Sequence, residues 1–213
     1  MKKVAAFILI VILIWSLAPY AFANTGEFDY QTILGGREGY QYDKFNKSWS
    51  YYRAYAKYYN DATVVIGLRT ESESGQSNPS LTELYVKVVD KSGNKLYDAE
   101  SIDFLIGDDL YSYKSIVQLD TSSVVIIAKN GLRLLEAIKN SNVSDVAIRI
   151  GVKNLGGLTI DNLDSTEYND LKEFCKVYLQ YNIWDYCVDK ETANLYESYC
   201  PLTINGELLD KTN

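Results

Sequence analysis

The stretch SVVIIAKNGLRLLEAIKNSNVSDVAIRIGV, residues 123–152, changes its hydrophobic period twice within thirty residues. It begins with an apolar run at 124–127 and continues with apolar residues at helical spacing from Leu132 to Ile138. From Val146 to Val152 the apolar residues recur at every second position, which is typical of a strand. The stretch therefore predicts a short central helix that packs on a sheet and carries much of the hydrophobic core.

Short strands separated by turn signals precede this stretch. Alternating apolar residues occur at 64–68, 84–88 and 102–106, and turn-forming residues follow the second segment at 90–94 and the third at 107–109. Because such turns join neighbouring antiparallel strands, they favour an antiparallel arrangement. The predicted fold class is α+β, a mainly antiparallel β-sheet or β-sandwich with a short central helix and a C-terminal helix.

The C-terminal helix is predicted to follow a glycine pair, Gly156 and Gly157, which is interpreted as a flexible break. Asp164 can cap this helix, and Glu167 three residues later completes the pattern of a capping box. Apolar residues then recur at the spacing of one helix face: Leu171, Phe174, Cys175, Tyr178 and Leu179.

The first 23 residues have the organisation of a secretory signal peptide. A basic start at Lys2 and Lys3 precedes an apolar segment from Val4 to Leu17, and small residues at Ala21 and Ala23 predict cleavage after Ala23. The alternative, a retained membrane anchor, is disfavoured because the apolar segment is short for a bilayer span. We expect a secreted or periplasmic protein with no stable membrane anchor after cleavage. The predicted organisation is a signal peptide at 1–23, a lead-in segment at 24–48, a β-rich globular domain with two helices at 49–181 and a cysteine-containing tail at 182–213.

Composition excludes several classes of function. The chain has no histidine, which excludes Ser-His-Asp and Cys-His catalysis and histidine-ligated zinc. Its net charge is −7, and removal of Lys2 and Lys3 lowers it to about −9, so nucleic acid is not an expected partner. No nucleophile motif or phosphate-binding loop is found, and no catalytic residue, cofactor or metal ligand is assigned.

Three cysteines in an exported chain predict one disulfide and one free thiol. Cys187 and Cys200 flank a tail with little periodicity, and Cys175 lies on the apolar face of the predicted helix. We therefore predict a Cys187–Cys200 disulfide with Cys175 buried and free. Pairing of Cys175 with Cys200 remains the alternative, because connectivity does not follow from spacing.

The densest acidic cluster consists of Asp98, Glu100, Asp103, Asp108 and Asp109. A pair of carboxylates at a suitable separation hydrolyses glycosides, so the alternative function is a carboxylate-based extracellular glycan hydrolase. The spacing of a calcium-binding loop is missing. Turn formation and solubility explain the same residues without a site.

The aromatic segment from Trp49 to Tyr59 fits both a helical and a strand pattern, and its aromatic content favours a strand. In a strand, one face interleaves rings with cations: Trp49, Tyr51, Arg53, Tyr55 and Lys57. This row is predicted to face solvent and to bind a ligand, with Tyr52, Ala54, Ala56 and Tyr58 facing the core. The alternative is ordinary cross-strand packing.

One resemblance can be named from these patterns. The Tyr42-Asp43-Lys44-Phe45 segment ahead of a β-rich stretch, and the L-x-x-I and V-x-I-R-I-x-V patterns within 135–152, resemble a group of uncharacterised secreted bacterial domains. The resemblance implies a signal peptide and a β-sheet core with one or two helices. It implies no activity.

Together these patterns predict a non-catalytic binding or interaction domain of the cell envelope or secreted space. An envelope protein or a polysaccharide is the expected partner, recognised through a tyrosine-rich sheet face; the chain has 19 tyrosines.

Overall fold

The computed structural model describes residues 26–59 and 62–209. The predicted signal peptide and its cleavage site lie outside the described residues. In the part of the chain that is described, no helix has both the length and the apolar character needed to cross a bilayer.

The predicted α+β class is confirmed, because the described residues form two antiparallel sheets accompanied by short helices. In chain order the strands are β1 (Tyr40–Asp43), β2 (Ser48–Tyr58), β3 (Ala62–Ser72), β4 (Pro79–Asp90), β5 (Leu96–Tyr97), β6 (Ala99–Ile106), β7 (Asp109–Tyr113), β8 (Val117–Gln118), β9 (Ser123–Ile126), β10 (Val146–Val152), β11 (Gly156–Ile160), β12 (Leu202–Ile204) and β13 (Glu207–Leu208). The helices are α1 (Tyr30–Leu34), α2 (Leu132–Asn140), α3 (Ser165–Gln180), α4 (Ile183–Tyr186) and α5 (Lys190–Tyr199).

The strand order defines the two sheets. Sheet 1 runs β1-β2-β3-β4-β9-β8, with β5 paired to the far end of β4. Sheet 2 runs β11-β10-β6-β7-β12-β13. Each neighbouring pair is antiparallel, and most neighbours in sequence are joined as hairpins, as the turn signals predict.

The stretch at 123–152 links the two sheets. Its first part is β9 in sheet 1, its middle is α2, and its last part is β10 in sheet 2. The helix buries Leu134, Leu135 and Ile138, and β10 buries Ile148 and Ile150 completely. The predicted helix and strand are thus confirmed, while the strands that flank the helix belong to different sheets.

Helix α3 begins where its sequence predicts. The Asp164 carboxylate accepts hydrogen bonds from Thr166 N at 2.8 Å and Glu167 N at 3.1 Å, which satisfies two free donors of the first turn. The Glu167 carboxylate forms a hydrogen bond outside its own helix: it accepts from Ala56 N in β2 at 3.3 Å. The predicted apolar face packs against β2 and α2, with Phe174 and its neighbours on that face buried.

Both flanking segments pack into the same core as the central part. Phe28 and Leu34 of the lead-in segment are buried, and so is Leu202 of the tail. In the tail, β12 extends sheet 2 by pairing with β7. The predicted flexible break at Gly156 and Gly157 is wrong, because both residues belong to β11, which pairs with β10.

Candidate functional site

The aromatic segment is a strand, β2, as its composition favours, but the predicted orientation of its two faces is wrong. Trp49, Tyr51 and Tyr55 of the proposed ligand-binding row are at most 2% exposed. Tyr52 and Tyr58, which were expected in the core, are 37% and 77% exposed. The row therefore lies on the inner face of sheet 1.

Aromatic contacts explain why this face is buried. The ring of Tyr51 stacks on Phe174 of α3, with centroids 5.3 Å apart and planes 9° apart. The ring of Trp49 is covered by Phe28 and Tyr30 of the lead-in segment, at centroid distances of 5.6 and 5.7 Å. Rings of this size contribute large apolar areas to a core when a helix and a terminal segment cover them.

The two cations of the row reach the margins of the covering helix. Arg53 bonds Asp170 of α3 at 2.9 Å and Glu38 at 3.2 Å, and its side chain is only 13% exposed. Lys57 donates to the carbonyl of Asn162, just before α3, at 3.2 Å. The interleaving of rings and cations thus attaches a helix to the sheet, and the three rings of the row are buried rather than exposed to a ligand.

An open groove lies on the opposite, outer face of sheet 1, and we call it the outer groove. It has a volume of about 480 Å³, within the range of small-molecule sites. Its strand residues are Gln41, Ser50, Tyr52, Arg69, Glu71, Tyr85 and Lys87. The loop between β8 and β9 supplies Leu119, Thr121 and Ser122. Two smaller depressions share Gln41, Ser50, Glu71 and Arg69 with it, so the concave surface continues across the sheet.

Tyr85 lies flat on the floor of the outer groove. A Cβ atom built on Gly67 would lie 2.0 Å from Tyr85 Cζ, 2.2 Å from its hydroxyl oxygen and 2.3 Å from its Cε1. Similar distances to three adjacent atoms place the face of the ring over the Gly67 backbone. Glycine weakens a strand interior, and here it permits this close approach.

Polar side chains surround the ring. Arg69 donates to Glu83 at 2.6 Å and lies 3.8 Å from Glu71. Gln41 Nε2 donates to the Tyr52 hydroxyl at 3.4 Å. Donors and acceptors therefore alternate with two phenol rings along the outer groove.

The Tyr85 hydroxyl is neutral at physiological pH. Burial raises its pKa above the ordinary value, while Arg69 opposes the shift and Tyr52 adds to it. The hydroxyl can therefore both donate and accept a hydrogen bond.

Asp103, the buried member of the acidic cluster, does not have the properties of a general acid. Asp103 is 4% exposed and is neutralised by Lys114 at 2.8 Å and by Arg149 at 2.6 Å. Burial would raise the pKa of Asp103, but hydrogen bonds from Lys114, Ser112 and Arg149 hold it below its ordinary value. A general acid of a glycosidase needs a raised pKa, which Asp103 lacks.

Asp109 does not face Asp103. Asp103 pairs with Ser112 and Ile106 pairs with Asp109, so Asp109 lies three positions away and alternates onto the opposite face of sheet 2. Asp98, Glu100 and Asp108 are exposed. Among the described residues no group of three or more acidic or thiol side chains is placed to hold a metal ion.

The predicted Cys187–Cys200 disulfide is wrong, because all three cysteines are free and buried. Helix α5 lies between Cys187 and Cys200, and ten helical residues span about 15 Å, far beyond the Cα separation that a disulfide allows. The alternative Cys175–Cys200 pairing is not formed either. Burial raises the pKa of all three thiols, and that of Cys187 rises to about 11, so none is an activated nucleophile.

Comparison of the chain with protein-family models, with curated proteins and with solved structures finds no match.

Sequence reasoning did not identify Tyr85, Gly67 or Arg69 as site residues. One signal was available: Asn60-Asp61 between two strands favours a two-residue hairpin, and such a connection places Tyr55 opposite Ile66. The observed register has this pairing, which puts Tyr55 on the same face as the buried Ile66. The odd-numbered residues of β2 then face the core, and Tyr52 faces outward.

Proposed function

We propose that this protein is a non-catalytic binding domain of the cell envelope or secreted space, and that the outer groove of sheet 1 is its ligand site. The observation that carries the proposal is the pair of outward-facing tyrosines, Tyr52 and Tyr85, among hydrogen-bonding side chains in a groove. Rigid amphipathic rings of this kind supply contact area at low entropic cost, and they are common anchors of binding sites.

The form of the groove favours an extended ligand. It crosses the sheet from β1 through β2, β3 and β4 to the loop before β9, which is about 19 Å at the usual strand spacing. An open, elongated surface suits a segment of a polymer better than a single small molecule, which an enclosed cavity would surround.

A binding experiment with matched variants tests the site. The purified protein is titrated with solubilised envelope polysaccharide, and separately with envelope protein extract, and each affinity is measured with Tyr52→Ala and Tyr58→Ala. Tyr58 provides the control because it lies on the same face of the same strand, about 20 Å away and outside the outer groove.

The proposal requires that binding fall about tenfold or more in Tyr52→Ala and stay unchanged in Tyr58→Ala. Equal affinities of the two variants, or no binding to either fraction, would overturn it.

Export is a separate part of the proposal and rests on the signal-peptide pattern at 1–23. N-terminal sequencing of the protein recovered outside the cytoplasm is expected to begin at Asn24. Recovery of the intact N-terminus in the cytoplasm alone would contradict export without bearing on the outer groove.

A further inference from the structure

We infer that the ligand of the outer groove is an uncharged glycan chain, with one sugar ring stacked on the outward face of Tyr85; this inference rests on the proposed function. Three features of the outer groove lead to this ligand class: the orientation of one ring, the balance of its charges and the lack of free backbone groups.

The first feature is the orientation of Tyr85. Because one face of its ring lies on the Gly67 backbone, the other face points away from the sheet. The backbone of Tyr85 is fixed as well, since β4 is paired with β3 on one side and with β9 on the other. A fixed, outward-facing ring presents a flat apolar surface, which suits the apolar face of a sugar ring.

The second feature is the balance of charge. Among the charged side chains that line the outer groove and the two depressions that extend it, Arg69 and Lys87 are cationic while Asp43, Glu71 and Glu83 are anionic. Arg69 is already paired with Glu71 and Glu83. An anionic polymer would therefore meet no excess of positive charge, and the net charge of −7 for the whole chain would repel it.

The third feature is the lack of free backbone groups on the floor. Strand β3 is hydrogen-bonded to β2 and β4 on its two sides, and β4 is bonded to β9 opposite the groove. Addition of a peptide strand requires an unpaired sheet edge. The central strands β3 and β4 offer none, and the edge strand β1 reaches the outer groove only at its end, through Gln41. A ligand over Tyr85 therefore contacts side chains, which disfavours an extended peptide.

The remaining lining groups match the hydroxyls of a sugar. The Gln41 amide, the Tyr52 and Tyr85 hydroxyls, and the Ser50 and Thr121 hydroxyls are neutral groups that both donate and accept. Sugar hydroxyls do the same, so each contact can form in either direction.

The test compares three classes of polymer and three substitutions. The purified protein is titrated with soluble uncharged polysaccharides (β-glucan, mannan and xylan), with polygalacturonate as the anionic polymer, and with a library of unstructured peptides. Tyr85→Ala removes the ring, Gly67→Ala displaces it, and Tyr85→Phe retains it without the hydroxyl. Tyr58→Ala is again the control.

We expect at least one uncharged polysaccharide to bind, with an affinity that changes less than about twofold between about 50 mM and about 500 mM salt. Tyr85→Ala and Gly67→Ala should each weaken it about tenfold or more, whereas Tyr85→Phe should stay within about threefold of wild type. Circular dichroism and thermal unfolding establish that each variant is folded. If Gly67→Ala does not fold, the Tyr85→Ala and Tyr85→Phe pair decides alone.

The alternative outcomes separate this inference from the proposed function. Binding of polygalacturonate or peptides alone, lost in Tyr52→Ala, would overturn the uncharged glycan and leave the outer groove as the ligand site. Binding of a glycan that is equal in wild type and Tyr85→Ala would also overturn the stacking. No binding of any polymer would overturn both.

Discussion

Tyrosines have different roles on the two faces of sheet 1. Tyr51 and Tyr52 are neighbours in β2, yet Tyr51 is 1% exposed beneath α3 and Tyr52 is 37% exposed in the outer groove. The inner ring stacks on another ring, while the outer ring has a hydroxyl that accepts a bond from Gln41. The environment given by distant segments, and not the residue type, therefore decides which tyrosines stabilise the fold and which are available to a ligand.

The largest loss of stability is expected from a substitution on the inner face of sheet 1. Tyr51→Ala removes a fully buried ring and its stacking on Phe174, so the free energy of unfolding should fall by about 3–5 kcal/mol. Equilibrium denaturation in urea measures it. A loss below about 1 kcal/mol would mean that α3 does not cover this face in solution.

The next largest loss of stability is expected at a buried charge in sheet 2. Asp103→Asn removes a buried carboxylate that bonds Arg149 and Lys114, and we expect a loss of about 1.5–3 kcal/mol at neutral pH. Asp108→Asn, at an exposed turn, provides the control and should change stability by less than about 0.5 kcal/mol.

The pH dependence of this loss follows from the pKa of Asp103, which lies below its unfolded value. The ionised carboxylate therefore stabilises the folded state above the unfolded pKa of about 4, and this contribution disappears as pH falls through the folded pKa. Denaturation curves between neutral pH and about pH 2 should show wild type and Asp103→Asn converging in acid. A difference that is independent of pH would contradict the ion pairs.

A smaller effect is expected at the start of the covering helix. Asp164→Ala removes the cap of α3 and should lower the free energy of unfolding by about 1 kcal/mol. Thermal unfolding compared with Ser165→Ala, the adjacent exposed residue, isolates the cap from a general effect of substitution. Equal melting temperatures for the two variants would show that the cap contributes nothing.

The smallest effect on stability is expected from the outer face. Tyr52→Ala should change the free energy of unfolding by about 0.5 kcal/mol or less, because the side chain is 37% exposed and lies on the outer face of β2. The same variant should lose ligand affinity, as described above. If Tyr52→Ala is as destabilising as Tyr51→Ala, the two faces do not differ in role.

Much of the fold follows from local patterns. The alternation at 64–68 and 84–88 predicts β3 and β4, the turn at 90–94 predicts the hairpin that leads to β5, and Asp164 predicts the start of α3. Each of these depends on a few adjacent residues, because side chains alternate across a strand and caps bond within one turn.

The disulfide prediction failed because the spacing of the cysteines does not show whether the chain between them is helical. Cys187 and Cys200 are thirteen positions apart, which permits a closed loop if the intervening chain is irregular. The tail instead forms α5, whose length separates the two thiols. The helix was missed because its only completely buried apolar residue is Ala193, a weak periodic signal.

The sequence by itself determined the α+β class, the cap of α3 and the absence of histidine, and it favoured a strand for β2, because periodicity, capping and composition are local properties. Alternation within β2 defines two faces and is silent on which of them is buried, so the register with β3 and the covering helix more than a hundred residues later decided it. The tertiary structure also creates the outer groove. Its tyrosines, Tyr52 and Tyr85, lie in different strands and come together only through the register of sheet 1.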